Sequence, residues 1–169
     1  MSSSFDYSLN YKIINFRNHT ELYRIGKGEQ GVLLVEPYKS EILPFWRFKT
    51  PPIAKESAEK IYQLFLSYKK VDDFVGMDMS RKFLQMGYTR SRRYANHSSG
   101  KKYMKNPQKE KTLDAQHQAR KMINPQEIDW DRNEKAQSAR IFYIKYLHVK
   151  NDPSYVAACE KHKKMYEGR

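Results

Sequence analysis

A single cysteine, Cys159, excludes an internal disulfide and a thiolate-based structural zinc site, and it fits a reducing compartment. It reads as a small apolar packing group on a helix. No apolar run approaches the roughly 20 residues needed to cross a bilayer, and no basic-then-apolar leader opens the sequence. Export and membrane insertion are therefore not expected, and a cytoplasmic location is. The histidines at 19, 97, 117, 148 and 162 form no H-x-H or H-E-x-x-H pair, which leaves no motif for a metal centre or cofactor. The most informative shortage is of negative charge. From Arg81 to Lys109 there are nine Lys and Arg and no Asp or Glu, whereas the first 80 residues carry 11 basic against 10 acidic side chains. Such an asymmetry marks an anionic partner.

What is present argues for a folded chain. The length of 169 residues suits one domain, 1–169, and 13 Tyr, 8 Phe and 2 Trp are more than a disordered chain carries. The N-terminal third reads as extended structure: YKIINF, ELYRIG, GVLLVEPY and ILPFWRF are short β-branched and aromatic runs divided by polar, Gly or Pro punctuation. Thr50 and Pro51 then open a run in which Ala54, Ala58, Ile61, Phe65 and Tyr68 recur at helical spacing. A second helix from Asp72 or Asp73 puts Val75, Met79, Phe83 and Met86 on one face and should end at Gly87, before a short helix from Thr89 to about Tyr94. Further helices are expected from Thr112 to Ile123, from about Asp131 with Ala136, Ala139, Phe142, Tyr143, Tyr146 and Leu147 inward, and after Asp152 and Pro153. The expected class is α+β, a small N-terminal antiparallel sheet of three to four strands packed on a helical C-terminal two thirds, with a flexible basic segment at 98–111.

GKGEQG places Gly26, Gly28 and Gly31 in a G-x-G-x-x-G pattern. A dinucleotide fingerprint needs a helix to follow, whereas VLLVEP reads as a strand; a hairpin turn is the plain reading and phosphate contact the sharper one. Glu29 in that loop, with Glu36, Glu41 and Asp78, offers carboxylates for metal-assisted phosphodiester chemistry, although nothing in their spacing converges them. Glu29 and Asp78 are the catalytic candidates. Around Tyr38 to Lys49, aromatic residues interleave with Arg47 and Lys49, a mixture that stacks bases and neutralises phosphates, though half-buried strand alternation explains it more simply.

The acid-free stretch is the strongest signal. Arg90, Arg93 and His97 recur at spacings of three and four, with Arg92 adjacent, giving a cationic ridge. Arg81, Lys82, Lys101, Lys102 and Lys105 extend the set that would meet phosphates, Arg47 and Lys49 would edge it, and Tyr88, Tyr94 and Tyr103 are available to stack on bases. Helix, Gly87, helix also resembles a helix-turn-helix, but Arg93 and Asn96 stand where apolar anchors belong.

FDYSLNYK, ELYRIGKGEQGVLLVEPYKSEILPFWRFKTP and DFVGMDMSRKFLQMGYTRSRRYANHSSGKKY resemble a domain-of-unknown-function family of T-even-like phages, bacteria and some eukaryotes, over about residues 5–105. The resemblance implies a cytosolic single-domain protein and brings no catalytic residues; a phage membership would imply host DNA metabolism or defence as the setting. The resulting expectation is a basic nucleic-acid-binding protein that contacts the phosphate backbone. Two alternatives stand beside it: an enzyme acting on a nucleotide or nucleic acid, with Glu29 or Asp78 assisting, and an inhibitor or adaptor that docks on an acidic host protein. No cofactor, metal or membrane partner is expected.

Overall fold

After a short α1 (Tyr38–Ile42), each longer helix starts from a polar side chain that accepts a first-turn N–H. In the computed structural model, which describes residues 5–169, α2 (Pro51–Lys70) is capped by Thr50, α3 (Phe74–Asn96) by Asp73, α4 (Leu113–Lys121) by Thr112, α5 (Glu134–Lys150) by Asn133 and α6 (Pro153–Tyr166) by Asp152. Each cap satisfies a donor for which the helix itself has no acceptor. None of the described helices is long and apolar enough to cross a membrane.

α2, α3 and α5 pack together at the centre, with α1 and α6 against α3. On α2 the buried side chains include Ala54, Ala58, Ile61, Phe65 and Tyr68, as their spacing predicts. α3 is more enclosed than one amphipathic stripe would allow: every residue from Phe74 to Leu84 is buried. Neighbouring helices cover one side of it and the N-terminal segment covers another.

The N-terminal sheet expected from the sequence does not form. Among the described residues there is no strand, and the isolated β-bridge of Tyr103 with Ile123 lies far along the chain. The fold is α-helical and not α+β. In GVLLVEPY the buried side chains are Val32, Val35 and Tyr38, three apart, with Leu33 and Leu34 exposed; that is the spacing of successive turns, whereas a strand would alternate. The glycine loop directly before it is held by side chains of α3 in place of a ladder. Arg81 donates through Nη1 to Gly28 O, and Lys82 donates through Nζ to Gln30 O at 2.6 Å.

Gly87 also departs from expectation. α3 runs unbroken to Asn96, and Gly87 is buried against the ring of Phe142 on α5, where a Cβ would come within 2.4 Å of a ring carbon. Glycine is there to let two helices approach, not to cap one, and the helix-turn-helix resemblance falls with the missing turn. α5 buries Ala136, Ala139 and Phe142, while Tyr143 is 40% exposed.

Residues 97–133 fold back on the end of α3. Met104 N donates to Met122 O at 2.9 Å and Asn124 N to Lys102 O at 2.8 Å, and Glu127 N donates to Asn96 O at 2.7 Å. Asn124 Nδ2 adds bonds to Lys101 O at 2.8 Å and Tyr103 O at 3.3 Å. The first part of the basic segment 98–111 is thereby tied to residues 122–124.

Candidate nucleic-acid interface

Arg81, Lys82 and Asp78 turn inward from α3. Asp78 Oδ1 accepts from Arg81 Nε at 3.0 Å, from Arg81 Nη2 at 2.7 Å and from the Tyr155 hydroxyl at 2.6 Å, while the Tyr23 hydroxyl donates to Oδ2. Lys82 Nζ lies 3.9 Å from Asp78 Oδ2 and over the rings of Tyr23 and Phe5, 4.9 and 5.3 Å from their centres. Burial by itself pushes the Asp78 carboxyl up, but Arg81, Lys82 and the two hydroxyls more than offset it and hold it below the usual carboxylate range. Burial drives Lys82 down to about 8 against the pull of Asp78. Arg81 spends its remaining donor capacity on Gly28 O and on Gln85 Oε1 at 2.8 Å. These three side chains form the internal anchor of the glycine loop: Asp78 and Lys82 are fully buried and Arg81 is 7% exposed, with its donors taken by protein acceptors.

The loop itself has three glycines at positive φ: 70° at Gly26, 58° at Gly28 and 78° at Gly31. At Gly31 even a β-carbon would fall 2.0 Å from the Phe5 ring, so both conformation and space require glycine. The loop lies along α3 as far as Thr89, whose hydroxyl donates to Glu29 Oε2 at 3.1 Å. It therefore shares a surface with the ridge that begins one residue later. Burial pushes the Glu29 carboxyl up, opposed by the Thr89 bond and by Arg90, Arg81 and Arg93. The other sequence carboxylates are engaged elsewhere. Glu41 pairs with Arg17 at 2.7 Å and accepts from the Tyr68 hydroxyl, and Glu36 accepts from Ser40. Among the described residues no three His, Cys, Asp or Glu side chains gather as a metal site.

Beyond Thr89 most of the candidate cations are exposed. Arg90, Arg93, Lys101, Lys102, Lys105, Lys109 and Arg120 all face solvent, and among the described residues none has a carboxylate within ion-pair distance. Arg93, Lys101, Lys102, Lys109 and Arg120 line one cleft of about 590 Å³, together with Tyr103 and Asn106. Like charges so gathered repel one another, and an anion in the cleft relieves that repulsion. Arg93 and Lys102 also border a second hollow, of about 600 Å³, between α3 and residues 123–126.

The chain belongs to the family described as a domain of unknown function, DUF4385. The family model matches residues 6–165, so membership spans the loop, the ridge and the folded-back segment, well past the residues whose wording suggested it. No curated protein and no solved structure matches the chain.

Within this family member the remaining sequence candidates separate. Arg92 turns away from the ridge: its Nη2 donates to Asn96 Oδ1 at 2.8 Å and to Trp130 O at 3.0 Å, with the guanidinium 5.6 Å from the indole centre. His97 is buried, its Nδ1 donating to Pro125 O at 3.2 Å. Tyr94 packs on Phe48 and Tyr88 on Tyr143, at ring separations of 5.8 and 4.9 Å, and Tyr103 stays at the cleft with Lys102 5.4 Å from its ring centre. Arg47 borders a different hollow, with Phe45, Glu56 and Lys60. Lys49 is exposed, and its carbonyl accepts from Lys135 Nζ at 2.7 Å. Asn106 and Arg120 are not among the sequence candidates, and Lys109 enters there only as the end of the acid-free stretch. For Arg120 no local signal exists, because the Tyr103–Ile123 bridge brings the end of α4 back to the cleft.

Proposed function

We propose that this protein binds nucleic acid through backbone phosphates, in the cytoplasm of a bacterial or phage-infected cell, with the Arg93–Lys102–Arg120 cleft as the contact surface. The observation that supports this reading is the concentration of exposed cations there without acidic partners. Cations held together without local counter-charges are free to neutralise phosphates and displace the counterions condensed on a polyanion, which drives association and makes it salt-dependent. Fluorescence anisotropy with a labelled oligonucleotide at rising salt tests it. Affinity should fall steeply with ionic strength, and Arg93→Gln with Lys102→Gln should weaken binding further; no binding at low salt would refute the proposal.

A second reading has one observation behind it. Glu29, its carboxyl pushed up by burial, is held by the Thr89 hydroxyl at the start of the ridge and feels the charges of Arg90 and Arg93 without pairing with them, as a general acid or base near a phosphate site would. On that reading Glu29→Gln abolishes turnover of a nucleotide or nucleic acid while binding persists. An acidic host protein in the same cleft would be recovered in a pull-down even after nuclease treatment, whereas a nucleic-acid-mediated capture would not.

A further inference from the structure

The two hollows that meet at Arg93 and Lys102 differ in chemistry. The first carries three more cations. The second has cations only at the shared wall and at Arg92, which is tied back to Trp130; the rest of its lining includes Tyr88, Ile123 and three carboxamides, Asn96, Asn124 and Gln126. Hydrogen bonding fixes how two of those amides are presented. Asn124 Nδ2 is taken by Lys101 O and Tyr103 O, which leaves Oδ1 as an open acceptor. Asn96 Oδ1 is taken by Arg92, which leaves Nδ2 as an open donor. Gln126 donates only a long 3.5 Å contact to Asn96 Oδ1 and keeps its own Oε1 free. A hollow that offers fixed donors and acceptors from both walls, beside an aromatic and an aliphatic residue, suits the polar edge and flat face of a nucleobase. Its volume falls in the roughly 300–1,000 Å³ range of small-ligand sites.

We infer that the ligand of this interface is single-stranded nucleic acid, with one unpaired base seated in the hollow between α3 and residues 123–126 while its phosphate lies against Arg93 and Lys102. This rests on the phosphate-binding reading and specifies it. A base in a duplex has its polar edge paired and both faces stacked, so it cannot enter such a hollow without leaving the helix. The carboxamides read whichever base is present and the cationic cleft takes the adjoining backbone.

The test compares three labelled probes of equal length at one low salt concentration: a mixed-sequence single strand, the corresponding duplex, and an abasic phosphodiester strand. The single strand should bind about tenfold or more tightly than the abasic strand, the order of the contribution that one seated base makes, and more tightly than the duplex. Gln126→Ala, at an exposed position, should lower single-strand affinity toward the abasic value and leave the abasic affinity unchanged. If abasic or duplex probes bind as tightly as the single strand, the base seat is overturned and phosphate binding stands. If none of the three binds, both readings fail together.

Discussion

Burial and charge pull Glu29 in opposite directions, and burial prevails, so its carboxyl is raised above the ordinary glutamate value of 4.5. The folded chain then holds this proton more tightly than the unfolded chain, and stability falls as pH rises from 4.5 through the folded value. Glu29→Gln should therefore melt at a higher temperature than the parent at pH 7, with the difference closing below pH 4. It should also bind polyanions more tightly, because it removes a negative charge whose field reaches Arg90 and Arg93. Lys82 gives the opposite slope. Its folded value of about 8 lies below the ordinary 10.5, so the unfolded chain binds the proton more strongly and stability gains as pH rises from 8 toward 10. Above 10 the unfolded tyrosines ionise while Tyr23 and Tyr155, raised by burial and by Asp78, keep their protons; stability should then fall again. Denaturant melts across pH 7 to 11 should show this maximum, and Lys82→Met should lose the rise but keep the fall. Asp78→Ala, which strands two buried cations, should cost about 3–5 kcal/mol. The spacing of Asp78, Arg81 and Lys82 is plain in the sequence, yet it looks like any surface ion-pair array. What holds it inside is distant in the chain, the carbonyls of Gly28 and Gln30 for the two cations and the hydroxyls of Tyr23 and Tyr155 for Asp78, and no local pattern announces those.

At the scale of elements, the helix starts were the most readable feature, because a cap is local chemistry: Thr50, Asp73, Thr112 and Asp152 each stand directly before the helix they begin. Gly87 misleads for the same reason in reverse. Its local context, polar and followed by Thr89, suits a C-cap, and only the Phe142 ring on another helix shows why glycine is needed inside α3. Gly87→Ala should destabilise by about 1–3 kcal/mol, as overpacking at a helix contact does, and Phe142→Leu in the same chain should recover part of the loss in thermal melts. The N-terminal runs were misread because apolar β-branched residues in short pieces suit strands and buried turns alike. Val32, Val35 and Tyr38 decide between them by period, and the glycine loop is then clamped to α3 by cations in place of a partner strand.

For the whole molecule, the sequence made the charge legible as an amount and only partly as a place. Of the acid-free stretch, Arg81, Lys82 and Arg92 are engaged in internal contacts, and Arg93, Lys101 and Lys102 are joined at one cleft by Lys109 and Arg120. A formal net charge of +13, with many of the cations unpaired, should leave the protein self-repelling, so moderate salt should raise its melting temperature. Whether the cleft is a polyanion interface is decided by the salt dependence of oligonucleotide binding in the parent and in Arg93→Gln/Lys102→Gln. For a single strand the logarithm of the affinity should fall with the logarithm of salt by about 0.7 for each phosphate engaged, and the double variant should make that slope shallower by roughly 1.4, two contacts at that value. A slope unchanged by the two substitutions, or a parent protein that binds no oligonucleotide at low salt, would contradict it.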